Sequence, residues 1–206
     1  MKLYDLERSG NCYKIRLFLS ILDIGYQKIP VDVKGGELAS KEFLAMNPHG
    51  LVPVLVDGEI TIYDSAAILT YLARKYATED WLPCSPIGLA RVIQWLTFEQ
   101  NEIRYGLARA RTKSMKIQTP FANSGTLEEC QALGTGALQI MEKQLANSDW
   151  LAGESHASIC DIACYPYTAM CGEGGISLTP YPAVNRWLER IERLDRYIEL
   201  PHLNKT

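Results

Sequence analysis

Along the first part of the chain, apolar positions recur by turns in alternation and at helical spacing, whereas the rest keeps only the helical spacing. Residues 2–5 form a short strand candidate. Residues 12–24 set Ile15, Leu17, Phe18, Ile21 and Leu22 at helical spacing ahead of Gly25, a residue suited to stopping a helix. The chain therefore begins strand, loop, helix. Residues 26–33 alternate with β-branched side chains, which predicts a second strand. Residues 41–46 predict a short helix ended by the turn signal Asn47-Pro48-His49-Gly50. The runs 53–56 and 60–62 flank Asp57-Gly58-Glu59 and predict a hairpin. Residues 65–76 predict a helix with Ile68, Leu69 and Leu72 inward.

The order β-α-β-α-β-β-α puts a helical crossover between the first two strands and a hairpin near the end. This is the pattern of a thioredoxin-like α/β domain with a mixed four-stranded sheet, and it occupies residues 1–77. Residues 78–86 are polar, hold Pro83 and Pro86 and lack periodicity, so they read as a linker. From 87 to 206 no strand pattern returns. Helices are predicted over 87–115, 125–147, 159–171 and 183–194, joined by segments rich in Gly, Ser, Asn and Pro, which makes an all-helical bundle domain. Pro166 removes a backbone donor inside the third of these helices and predicts a kink near 162–166.

The 206 residues are 47% hydrophobic, enough for a substantial core and against a disordered or fibrous class. The 21 basic residues are scattered under a net charge of −3, so the basic stripe of a nucleic-acid partner is missing. Lys2, Asp5, Glu7 and Arg8 break the N-terminus where a secretory peptide needs an apolar core, and no stretch approaches a membrane-spanning length. The expected setting is cytoplasmic, without a membrane. The six cysteines, with no Cys-x-x-Cys pair, are then expected to be reduced.

Three places on the α/β pattern carry candidate chemistry. Pro53 stands where a turn meets a strand, and a cis Val52-Pro53 bond would turn the Val52 backbone groups outward to pair with an extended peptide; a trans proline at a strand's first residue is the alternative. Asp64-Ser65 opens a helix. Asp64 is a natural N-cap, and the same helix end attracts a carboxylate while Asp64 could take an ammonium. Ser9-Gly10-Asn11 lies ahead of the first helix. Ser9 or Asn11 reads either as a cap, or as a group that would hold a bound thiol as thiolate with help from the helix dipole.

On these residues the chain resembles a known family. SGNCYKIRLFL, NPHGLVPVL and DSAAIL are similar to the glutathione-binding domain of bacterial glutathione S-transferases, in particular the theta- and nu-like kind with Ser or Thr followed two residues later by Asn. The likeness continues in LAGESHASICDIA, with a capping box at Ser158 and Asp161, and in YPAVNRWLERIERL, so it covers nearly the whole chain. It implies glutathione as co-substrate, with no metal or redox cofactor. By position, Ser9 and Asn11 would face the glutathione sulfur, Val52 and Pro53 would meet its cysteinyl backbone, and Asp64 and Ser65 its γ-glutamyl end. Several relatives have a histidine for the glycyl carboxylate where this chain has Leu38; Lys34, Lys41 and His49 are the substitutes on offer. The resemblance also implies a homodimer and a second-substrate pocket lined by the first long helix, where Tyr105 and Arg109 stand four apart.

Cys12, in the first helical turn, reads either as an acidic redox thiol or as a small packing residue, and packing is the expectation. Cys160, Cys164 and Cys171 share a helix face with His156 nearby, but buried cysteines on a core stripe explain them without zinc. The leading expectation is transfer of the glutathione thiolate to a small electrophile, a detoxification chemistry. Glutathione-dependent reduction of disulfides or peroxides and a non-catalytic protein of the same fold are the alternatives.

Overall fold

The computed structural model describes residues 1–117 and 125–201; residues 118–124 and 202–206 of the expected helical part lie outside the described residues. Four strands, β1 (Lys2–Asp5), β2 (Gln27–Pro30), β3 (Val54–Asp57) and β4 (Ile60–Tyr63), form one mixed sheet in the order β2-β1-β3-β4. β1 runs parallel to β2 and antiparallel to β3, and β3 runs antiparallel to β4. A parallel pair needs a crossover. Helix α1 (Gly10–Ile21) supplies it, so the first part of the chain has the expected thioredoxin-like form. β2 is shorter than the alternation in 26–33 suggests, because only the four residues opposite β1 find ladder partners.

α1 also stops earlier than expected, and the stop is not Gly25. Asp23 takes φ +56°; its N–H bonds Ser20 O, and the Ile24 N–H bonds Leu19 O, a pattern that closes a helix with a left-handed residue. Aspartate tolerates that region better than most side chains. Helix α2 (Lys41–Met46) and helix α3 (Ser65–Tyr76) form where the pattern puts them, and Ile68, Leu69 and Leu72 of α3 are fully buried.

The expected helix over 87–115 is continuous but not uniform. Helix α4 (Pro86–Phe98) passes into a π-helical segment (Glu99–Ala108) and then helix α5 (Arg109–Ser114). Helix α6 (Leu127–Leu145), helix α7 (Ile159–Ala169) and helix α8 (Pro182–Glu192) complete the described part. α7 stays helical through Pro166 and packs against α1, α3, α4 and α8. One cluster of buried side chains runs from Leu3, Phe18 and Leu69 through Ile162 and Tyr165 to Trp187, so both halves share a core.

The start of α7 is organised by Asp161, which is fully buried. It forms the expected capping box with Ser158: Asp161 Oδ2 accepts from the Ser158 N–H at 2.9 Å and from its hydroxyl at 3.1 Å. Its other oxygen accepts from the Leu151 N–H at 3.0 Å and from Trp187 Nε1–H at 2.9 Å. Burial pushes this carboxyl up, and the four donors oppose that shift.

The π-helical segment approaches α6 through two glycines. A Cβ on Gly106 would stand 2.5 Å from Gly134 N and 2.6 Å from its Cα, inside any van der Waals limit. Gly106→Ala is therefore expected to cost about 1–3 kcal/mol in urea unfolding, because the helices must separate. Gly136→Ala, in the same helix α6 with nothing within 4 Å of its added carbon, is expected to be neutral or to gain up to about 1 kcal/mol. Equal losses at both positions would contradict the close-contact explanation.

Candidate functional site

The strand directions bring the candidates together. Tyr4 of β1 pairs with Val54 of β3, and Val54 pairs with Tyr63 of β4. The segment after β1 with Ser9, the segment before β3 with Val52 and Pro53, and the segment after β4 with Asp64 and Ser65 thus leave the same end of the sheet. Lys34 follows β2, which is parallel to β1, and leaves by that end as well.

Ser9 is the N-cap of α1, and its Oγ accepts from the Cys12 N–H at 3.3 Å. Capping uses one hydroxyl lone pair and leaves the O–H to donate elsewhere. The cap and ligand roles are therefore compatible. The loop before Ser9 is braced by the buried Arg16, which pairs with Asp5 and donates to Glu7 O at 2.8 Å. Next in sequence, Gly10 lies against the ring of Tyr167 from α7; a Cβ there would meet the ring at 2.7 Å. Burial pushes the Tyr167 phenol up to about 12, so it is a neutral hydroxyl beside the Asn11 backbone N–H.

Asn11 Oδ1 accepts from Lys14 Nζ at 2.8 Å. Lys14 has no exposed surface, and its ammonium also reaches Ser65 Oγ at 3.5 Å and Glu99 Oε1 at 2.6 Å. This links the first turns of α1 and α3 to the π-helical segment. Asp64 caps α3, with Oδ1 accepting from the Ala66 N–H at 2.9 Å, and sits at φ +72° with its side chain exposed. Ser65 is buried at the first helical position.

The Val52-Pro53 bond is cis, as anticipated. The loop ahead of it is held by buried Asn47, whose carboxamide donates to Leu51 O at 2.7 Å and accepts from the His49 N–H at 3.0 Å. Lys34, Lys41 and His49 are all exposed, and the His49 ring meets Tyr63 edge-on at 5.8 Å. Leu38 packs on the small core of Val31, Phe43 and Val54.

Burial decides the cysteine question at this site. Cys12 has no exposed surface, and its thiol is pushed up to about 12, first by desolvation and then by Asp5. It is a packing residue. Cys160 and Cys164 are likewise fully buried with raised thiols, and among the described residues no group of three metal-ligating side chains comes together. Nor is any helix of the described residues long and apolar enough to cross a membrane.

On the helical side, Tyr105 is exposed and the Arg109 guanidinium lies 4.9 Å from its ring centroid. Arg109 is buried, with Cys130 of α6 among its neighbours. It is Arg111 that reaches the loop before α1: its Nη1 donates to Arg8 O at 3.4 Å, and its Nε donates to Glu173 at 2.5 Å. Lys14, Glu99 and Tyr167 are residues the sequence did not single out. Only Lys14 carried a local signal, standing one helical turn after Asn11 with its charge on a helix of mostly apolar residues.

Two family models match the chain: the glutathione S-transferase N-terminal domain over residues 3–80 and the glutathione S-transferase C-terminal domain over residues 105–195. The disulfide-bond oxidoreductase YfcG of Escherichia coli is 34% identical over 188 residues, which is 88% of this chain and 85% of that protein. Glutathione S-transferase GstB of the same organism is 29% identical over 92% of this chain and 91% of its own. A solved glutathione S-transferase from Pseudomonas fluorescens superposes with a TM-score of 0.88 at 36% identity, covering 98% of both chains. With both family domains matched in order and the mixed sheet and helical half in place, the chain belongs to the glutathione S-transferase family.

Proposed function

We propose that the protein is a glutathione transferase, which holds glutathione as co-substrate and directs its thiolate at a small electrophile. The observation that carries this reading is the convergence of Ser9, Asn11 and Ser65 on one end of the sheet, with Lys14 bonded to both Asn11 and Ser65. Ser9 keeps an O–H to donate, Asn11 keeps its amide N–H groups, and the α1 N-terminus adds its dipole. All three favour a thiolate over a thiol. The sulfur then forms a bond to the electrophilic carbon, the leaving group departs with the bonding pair, and the thiol proton passes to solvent.

In this reading residues 1–77 hold the tripeptide, 78–86 link, and the helices of 87–206 wall the second-substrate pocket. The Val52 backbone, next to Pro53, pairs with the cysteinyl unit. Asp64 takes the α-ammonium, while Ser65 and the α3 N-terminus take the α-carboxylate. The glycyl carboxylate goes to Lys34, Lys41 or His49, and Tyr105 with Arg109 meets the second substrate. The protein works as a cytoplasmic homodimer. Conjugation of a chromogenic aryl halide, saturable in glutathione, is the expected result. No turnover and no calorimetric heat at millimolar glutathione would overturn it in favour of a non-catalytic protein.

A second reading, glutathione-dependent disulfide reduction, is favoured by the 34% identical relative named a disulfide-bond oxidoreductase. The thiolate would attack a disulfide sulfur, expelling one thiolate and forming a mixed disulfide; a second glutathione then frees the other thiol and leaves as oxidised glutathione. Cys12 is buried and takes no part in the exchange, so in this reading glutathione supplies both electrons. A faster rate on a mixed disulfide or hydroperoxide than on aryl halides would select this chemistry.

A further inference from the structure

We infer that Lys14 is a positioning residue of the glutathione site, whose buried ammonium sets the direction in which Asn11 and Ser65 offer their hydrogens to the ligand. The inference rests on the glutathione reading above and deepens it.

An ammonium has three N–H donors and no acceptor. Lys14 Nζ faces three acceptors: Glu99 Oε1 at 2.6 Å, Asn11 Oδ1 at 2.8 Å and Ser65 Oγ at 3.5 Å. Each hydrogen has its own acceptor, and the side chain is sealed from water. The carboxamide of Asn11 therefore cannot turn over, since its NH2 group would then meet the ammonium, donor against donor. Only N–H donors of Asn11 face the site. Donors stabilise a thiolate, whereas the carboxamide oxygen would accept from the S–H and stabilise the thiol. Ser65 is treated alike: its oxygen receives the ammonium, so its own hydrogen points away from Lys14 and is available to a carboxylate at the α3 N-terminus.

Glu99 has a different task. An unpaired buried ammonium is costly, and Glu99, 2% exposed at its side chain, balances it from the helical half. The Tyr167 ring, 5.4 Å from Nζ, covers the same charge. The polarity of the tripeptide site is thus set across the contact between the two halves. A purely structural ion pair would instead affect stability alone.

The test uses the full chain with Lys14→Met, Asn11→Ala and their combination, reading kcat/KM for glutathione against pH. Lys14→Met is expected to move the acid limb upward by about one pH unit, a tenfold loss of thiolate below it. Adding Asn11→Ala to Lys14→Met is expected to change little further, since without the ammonium the Asn11 donor is no longer held toward the ligand. If Lys14→Met folds poorly, Lys14→Met with Glu99→Met replaces the buried pair by apolar side chains, an exchange that often keeps or raises stability. That variant is expected to retain the displaced acid limb. An acid limb like the parent's in the folded variants, with additive effects of Lys14 and Asn11, would overturn the inference and leave the glutathione reading standing. A parent that neither binds nor turns over glutathione would overturn both.

Discussion

Asp161→Ala is expected to lower the unfolding free energy by about 3–5 kcal/mol. The carboxylate accepts from the Leu151 N–H, the Trp187 indole N–H, and the Ser158 N–H and hydroxyl, all inside a fully buried site. Truncation strands donors that no water reaches, and each stranded buried donor costs on the order of 1–3 kcal/mol, not additively. Against a typical total of about 5–15 kcal/mol this is a large share, and in a chain of this length it corresponds to a midpoint roughly 6–20 °C lower. Ser158→Ala removes one hydroxyl from the same box and is expected to cost about 1 kcal/mol. Asp161→Asn keeps an acceptor oxygen but turns an NH2 group toward donors, so it should fall between the two. Thermal or urea unfolding of the three variants checks the order. An Asp161→Ala loss no larger than that of Ser158→Ala would mean that the box is only a local cap.

How far the sequence carries depends on whether a signal is local. The α3 boundaries, the Asp64 cap, the hairpin after β3 and the Ser158–Asp161 box could all be read, because each rests on residues within one turn of one another. The convergence of Ser9, Val52 and Ser65 could be read only through the family resemblance, since it depends on strand order. The sequence points to Gly25 as the stop of α1, whereas the left-handed position is filled by Asp23. The π-helical segment leaves no distinct mark, as its apolar positions satisfy helical spacing either way. The Lys14–Glu99 pair joins residues 85 apart, and charges in sequence read as solvated until a neighbouring helix covers them. The same holds for Trp187 and Leu151 on Asp161, which convert a cap into a buried junction.

Ser9→Ala is the second large expected effect. The hydroxyl lone pair caps α1 at the Cys12 N–H, and in the proposed function its hydrogen donates to the ligand sulfur. Losing the cap costs about 1 kcal/mol of stability, which a folded domain tolerates. Losing a donor aimed at developing or resting negative charge costs on the order of 10²-fold in kcat/KM. Ser9→Thr keeps both functions and is expected to stay near the parent, so a loss confined to Ser9→Ala assigns the effect to the hydroxyl. The most direct measurement is the ultraviolet titration of the thiolate of bound glutathione in the parent and in Ser9→Ala. The parent is expected to ionise the bound thiol well below the value of about 8.5 for a free thiol, and Ser9→Ala to return it toward that value. The same titration midpoint in both proteins would contradict thiolate activation at Ser9.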